Sequence, residues 1–139
     1  MNNLQKKYIT ILIIFLLALA SSLILTFAPV EKICSPNENL QATCVTIQES
    51  TYEKTFGIEN NILGIAAFSL ISLLIILHLY SPRKETKKLI LAGTILGSAI
   101  ALYLIYLQFF VIHAICKYCM VADGGTILAL ILMIFWKEK

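Results

Sequence analysis

Charge is what this chain has least of. Only 14% of its 139 residues are Asp, Glu, Lys or Arg, whereas 59% are apolar, and a soluble domain carries about 25% charge. That shortage excludes an ordinary water-soluble globular domain. Nucleotide-binding signatures are missing too, with neither a Gly-x-Gly-x-x-Gly nor a phosphate-binding loop. Met120, not His, follows Cys119, which excludes covalent attachment of a c-type haem. No small-x-small cleavage site interrupts the first apolar run before Pro29. That run is also longer than the roughly 7 to 15 residues of a signal-peptide core, so it is expected to be retained. There is no internal repeat and no low-complexity tract.

What the chain does have is four apolar runs, at residues 8–29, 61–80, 89–112 and 116–136. Each approaches the roughly 20 residues that cross about 30 Å of hydrocarbon as a helix. The expectation is a single all-α domain over residues 1–139, an integral membrane four-helix bundle with one long polar loop at 30–60. The connection at His113 to Ile115 is so short that the third and fourth helices must be antiparallel neighbours. Lys6, Lys7, Arg83, Lys84, Lys87, Lys88, Lys137 and Lys139 fall on one side of this topology, and only Lys32, Lys54 and Lys117 on the other. The positive-inside rule then predicts cytoplasmic termini and an extracytoplasmic 30–60 loop. This asymmetry accounts for the net charge of +3 and gives no support for nucleic-acid binding.

All four cysteines, Cys34, Cys44, Cys116 and Cys119, then lie at or near the outer face, where disulfides persist. Cys116-Lys117-Tyr118-Cys119 is a Cys-x-x-Cys pair at the start of the fourth span, a redox-active arrangement. Unpaired backbone N–H groups and the helix dipole favour a thiolate there, and Lys117 adds positive charge. Cys116 is the expected nucleophile and Cys119, one turn deeper, its partner facing the bilayer interior. Two bland readings stand beside this one. Cysteines can simply pack as small apolar residues, or all four could bind zinc. The nine residues between Cys34 and Cys44 exceed the roughly two to four of a metal knuckle.

Oxidising two thiols releases two electrons, and the acceptor is reached by elimination. A quinone, of ubiquinone, menaquinone or vitamin K type, diffuses in lipid, takes two electrons and two protons, and would enter an apolar pocket between helices. Cys34 and Cys44 on the outer loop could meet a soluble partner and bend back. The relay would run from partner dithiol to Cys34/Cys44, then to Cys116/Cys119, then to quinone, through mixed disulfides. The loop pair could instead be a static staple.

The loop itself holds Glu31, Glu38, Glu49, Glu53 and Glu59, with a turn signal at Ser35-Pro36-Asn37. From residue 40 to 56 the apolar residues are irregularly spaced, though a short amphipathic surface helix fits. Gly93, Gly97 and Ala101 make a small-residue stripe suited to helix packing. Tyr103, Tyr106 and Phe109 are read as bundle or lipid contacts, with pocket lining the lesser alternative. His78 and Trp136 are read as interfacial. Asp123 is the one acidic residue within a span, four residues after Cys119 and seven after Cys116, hence on the same helical face. A carboxylate at that depth is a functional-site hypothesis by default. Protonated, it could hydrogen-bond a quinone oxygen or supply a proton; its rival role is bonding local backbone in a turn loosened by Gly124 and Gly125.

In this order and spacing, Cys34, Cys44, Ser50, Gly57, Gly64 and the Cys116 to Cys119 motif resemble the vitamin K epoxide reductase family of quinone-coupled thiol oxidoreductases. Most of the likeness is carried by Cys44 to Gly64: a Ser six residues after the second loop cysteine, an aromatic two beyond, and two glycines seven apart. The resemblance implies a four-helix bundle enclosing a quinone and capped by a loop helix. It also implies that Cys116 exchanges with a loop cysteine, Cys119 contacts the quinone ring, and Ser50 supports the loop. The chain departs from relatives in having Glu59 where many have Pro, Asp123 where some animal members have Tyr, and no fused thioredoxin-like domain. The partner is then expected to be a separate thioredoxin-like protein. The alternatives are a vitamin K epoxide or quinone reductase using the same relay, and a non-catalytic membrane subunit with structural disulfides.

Overall fold

A computed structural model of the chain describes residues 1–27, 54–55, 57–111, 113 and 117–137. Four long helices dominate: α1 (Asn3–Phe27), α2 (Asn60–Tyr80), α3 (Lys84–Tyr106) and α4 (Lys117–Phe135). A π-helical turn, Leu107–Val111, prolongs α3. All four are long and apolar enough to span a membrane, as the four runs predict. The helices differ from the apolar runs mainly at their charged ends. α3 begins at Lys84, five residues before the run at 89, because helical hydrogen bonding continues through Lys87 and Lys88 after hydropathy falls.

In cross-section α1 packs between α2 and α4, and α3 closes the ring against both. α3 and α4 are the expected antiparallel neighbours. Beside an apolar core the bundle buries many polar side chains and exposes large apolar ones, unlike a soluble protein. Lys7, Ser21, Ser22, Ser72, His78, Thr94, Ser98, Gln108, Asp123 and Thr126 are all buried, whereas Leu17, Leu73, Leu96 and Ile134 are more than half exposed. That exposed apolar surface suits lipid, which cannot satisfy polar groups. Two of the buried hydroxyls bond within their own helices, Thr94 Oγ1 to the Ile90 carbonyl at 2.7 Å and Thr126 Oγ1 to that of Ala122 at 2.8 Å.

The small-residue stripe behaves as expected. A Cβ on Gly93 would meet Ile71 of α2 at 3.5 Å, and one on Gly97 would meet Thr126 of α4 at 3.3 Å. Beside the latter contact, Ser98 Oγ donates to the Thr126 carbonyl at 3.2 Å and fixes the height of α3 against α4. α4 runs through Gly124-Gly125 without a break, so Asp123 does not sit in a loosened turn.

Two features were not anticipated. A two-stranded hairpin, β1 (Lys54–Thr55) antiparallel to β2 (Ile58–Glu59), leads directly into α2. Gly57 turns it with φ +81°, a conformation that favours glycine. His78, expected at an interface, is buried, its ring 4.6 Å from that of Tyr8. Beside it Lys7 is buried too, and its Nζ donates to the carbonyls of Met133 at 3.0 Å and Trp136 at 3.1 Å. The ammonium thus caps the C-terminal end of α4, where the helix dipole favours a cation. Trp136 contributes its carbonyl to this cap as well as being half-buried at the end of the bundle.

Candidate functional site

Near the opposite end the helices part around a cavity of about 310 Å³. Residue size explains where it forms. At the Lys7 end, Tyr8, Ile11, Phe15, Ile75 and Ile90 are completely buried and fill the bundle. Toward the other end the inward positions are held by Ser22, Gly64, Ala67, Gly97, Ala101 and Ala122, which leave space between the backbones. Gly64 favours this arrangement: a Cβ there would lie 3.0 Å from Ser22 Oγ, and the hydroxyl would have to give way. That clearance lets α2 approach α1 at the cavity wall.

Most of the wall is apolar, with Leu25, Leu63, Phe68, Ile100, Leu104 and Leu107 among its residues. Its polar members are few and come from all four helices: Ser22 from α1, Asn60 and Asn61 from α2, Gln108 just beyond α3, and Cys119, Asp123 and Thr126 from α4. An apolar chamber with a few convergent polar groups is the usual form of a small-molecule site.

Cys119 and Asp123 lie one turn apart on α4 and both border the cavity, as their spacing predicts. Asp123 is 8% exposed and Cys119 half-buried. Cys34, Cys44, Ser50 and Cys116 lie outside the described residues, as does the expected loop helix. Of the three aromatics, Tyr103 borders the cavity at its exposed margin. Tyr106 stacks on Phe110 with ring centroids 5.2 Å apart on the exposed side of α3. Asn60, Asn61 and Gln108 escaped the sequence reading. Gln108 could have been found from its helical phase, since it continues the face of Gly97, Ala101 and Leu104.

The fold and cavity define a polytopic membrane protein with an internal, mainly apolar chamber bordered by a cysteine and a carboxylic acid. Within that class the chain belongs to the vitamin K epoxide reductase family, whose model matches residues 9–134. No curated protein and no solved structure gave a significant match. The family carries out membrane-bound disulfide and quinone redox chemistry with quinone-type electron carriers, so the chain is an integral membrane protein of an oxidoreductase family.

Proposed function

We propose that this protein is a membrane thiol oxidoreductase that drives disulfide formation in exported proteins by reducing a quinone held in the cavity. The observation that carries the reading is the shared wall of Cys119 and Asp123 in an otherwise apolar chamber. A bundle stabilised only by structural disulfides would fill that space, because protein interiors are close-packed.

Electrons pass from the dithiol of a separate thioredoxin-like partner to Cys34/Cys44 by thiol–disulfide exchange, and from there to Cys116/Cys119. The Cys116/Cys119 dithiol then closes to a disulfide, giving two electrons and two protons, and the quinone becomes the hydroquinone. Cys119 faces the ring, Asp123 hydrogen-bonds a quinone oxygen, and Ser50 supports the loop that carries the shuttle pair. Lysine and arginine asymmetry supports cytoplasmic termini, with the cysteines on the extracytoplasmic side.

The test is quinone reduction by the full chain purified with lipid, driven by dithiothreitol or by a reduced thioredoxin-like protein. Turnover is expected with both reductants. Replacing Cys34 and Cys44 with Ser should stop the protein-driven reaction and leave part of the dithiothreitol-driven one. Protein-driven turnover that survives loss of both loop cysteines would remove the shuttle from the scheme, and a wild-type chain inert toward every quinone would end the reading.

A further inference from the structure

One buried polar residue of the chamber has no part in the relay. Gln108 is 4% exposed and borders the cavity, although it is the only polar side chain between Leu107 and Val111. Around it the wall and the lipid face separate cleanly. Leu107 and Gln108 are buried, while Phe109, Phe110 and Val111 are 44%, 68% and 40% exposed. The segment is π-helical, a geometry concentrated at functional sites.

Its height in the bundle follows from the Ser98 to Thr126 hydrogen bond, which sets α3 level with α4. Moving from that bond toward the Cys119 end at about 1.5 Å per residue, Asp123 lies roughly 5 Å along the axis, Cys119 roughly 10 Å and Gln108 roughly 15 Å. Cys119 therefore sits between the two polar groups in height. Asp123 and Gln108 are about 10 Å apart along the axis by the same rise, room for one six-membered ring and a hydrogen bond of about 2.9 Å at each end.

We propose that Gln108 is a quinone-binding residue: its carboxamide holds one carbonyl of a para-quinone whose opposite carbonyl faces Asp123, so that the ring lies against Cys119. The inference rests on the quinone reading above and adds to it a second anchor and a ring geometry. The amide transfers no proton and no electron. Its NH₂ donates to the carbonyl oxygen of the quinone, and its own oxygen accepts from the hydroxyl of the hydroquinone, so one side chain serves both oxidation states. An ortho-quinone, with adjacent carbonyls on one edge, can engage only one of the two anchors.

The experiment uses the full chain in lipid, dithiothreitol as reductant, and matched 1,4- and 1,2-naphthoquinones. Gln108→Leu should raise KM for the 1,4-isomer about tenfold, the loss of one hydrogen bond. It should leave kcat and the KM for the 1,2-isomer within about twofold, since the lost bond is a ground-state contact to one carbonyl. Infrared difference spectra of bound 1,4-naphthoquinone, labelled with ¹³C at its carbonyls, should show one C=O stretch rising in Gln108→Leu and the other unmoved. Phe110→Leu, on the exposed side of the same turn, should change neither. Gln108→Met keeps the length of the side chain and guards against a packing defect. Unmoved stretches with an unchanged KM would overturn the proposal, as would loss of folding in both Gln108 variants, which would assign the residue to packing. A wild-type chain that reduces no quinone would instead defeat the reading on which it rests.

Discussion

The two ends of this bundle are built from the same four helices and do opposite things with the space between them. At the Lys7 end the interior is filled by Tyr8, Ile11, Phe15, Ile75 and Ile90, and a buried ammonium ties α1 to the last carbonyls of α4. At the Cys119 end small side chains face inward and a chamber of about 310 Å³ remains. Lipid is as apolar as a hydrophobic core, so helix association in the bilayer depends on packing and polar contacts more than on burial. The difference therefore teaches where each kind of interaction is concentrated: close packing and capping at one end, and a space with a few polar groups at the other.

The comparison predicts that substitutions at the two ends have separable consequences. The largest effect is expected from Cys119→Ser and Cys116→Ser, each of which should lower dithiol-driven quinone reduction by about a thousandfold or more, since neither half of a disulfide works alone. Their denaturation midpoints should stay near that of the wild type. A Cys119→Ser protein with wild-type turnover would remove the cavity from the chemistry.

Next in size is Lys7→Met, which leaves two carbonyls at the end of α4 without their donor and should cost about 1–3 kcal/mol of stability. It should leave the quinone KM within about twofold, because the filled core separates it from the cavity. Denaturant titration alongside steady-state kinetics checks both halves of that statement. A KM that moves in step with stability would show that the two ends are coupled.

The smallest of the three is Asp123→Leu, expected to raise the quinone KM about tenfold by deleting one hydrogen bond. Asp123→Asn should retain part of the affinity, because its amide can still donate. Unchanged affinity and an unchanged pH profile in Asp123→Leu would confine that carboxyl to packing and leave Gln108 as the sole anchor to be tested.

Much of the bundle was legible because it follows helical periodicity. Four apolar runs mark the four helices; the spacing of Cys119 and Asp123 puts them on one wall, and the Gly93, Gly97 and Ala101 stripe faces its neighbours. The helix ends were less legible, since hydropathy reports where the membrane stops, and α3 runs on through Lys84 to Lys88. Lys7 looked like a topology signal because a lysine beside a span usually is one. Its acceptors lie 126 and 129 residues away, and no local pattern encodes that distance. The hairpin at Lys54 to Glu59 was missed because two-residue strands are too short to show an alternating pattern. Gln108 was overlooked as a lone polar residue in an apolar run, although its phase with Gly97 points into the bundle.

The Lys7 contact also bears on how the protein is made. Membrane helices emerge in order, and the carbonyls that receive this ammonium belong to the last of the four. While α1, α2 and α3 are already inserted, Lys7 has not yet met these partners, and its ammonium can reach the headgroup water by snorkelling. The first helix packs on the second early, but its polar tie through Lys7 forms only when the fourth arrives.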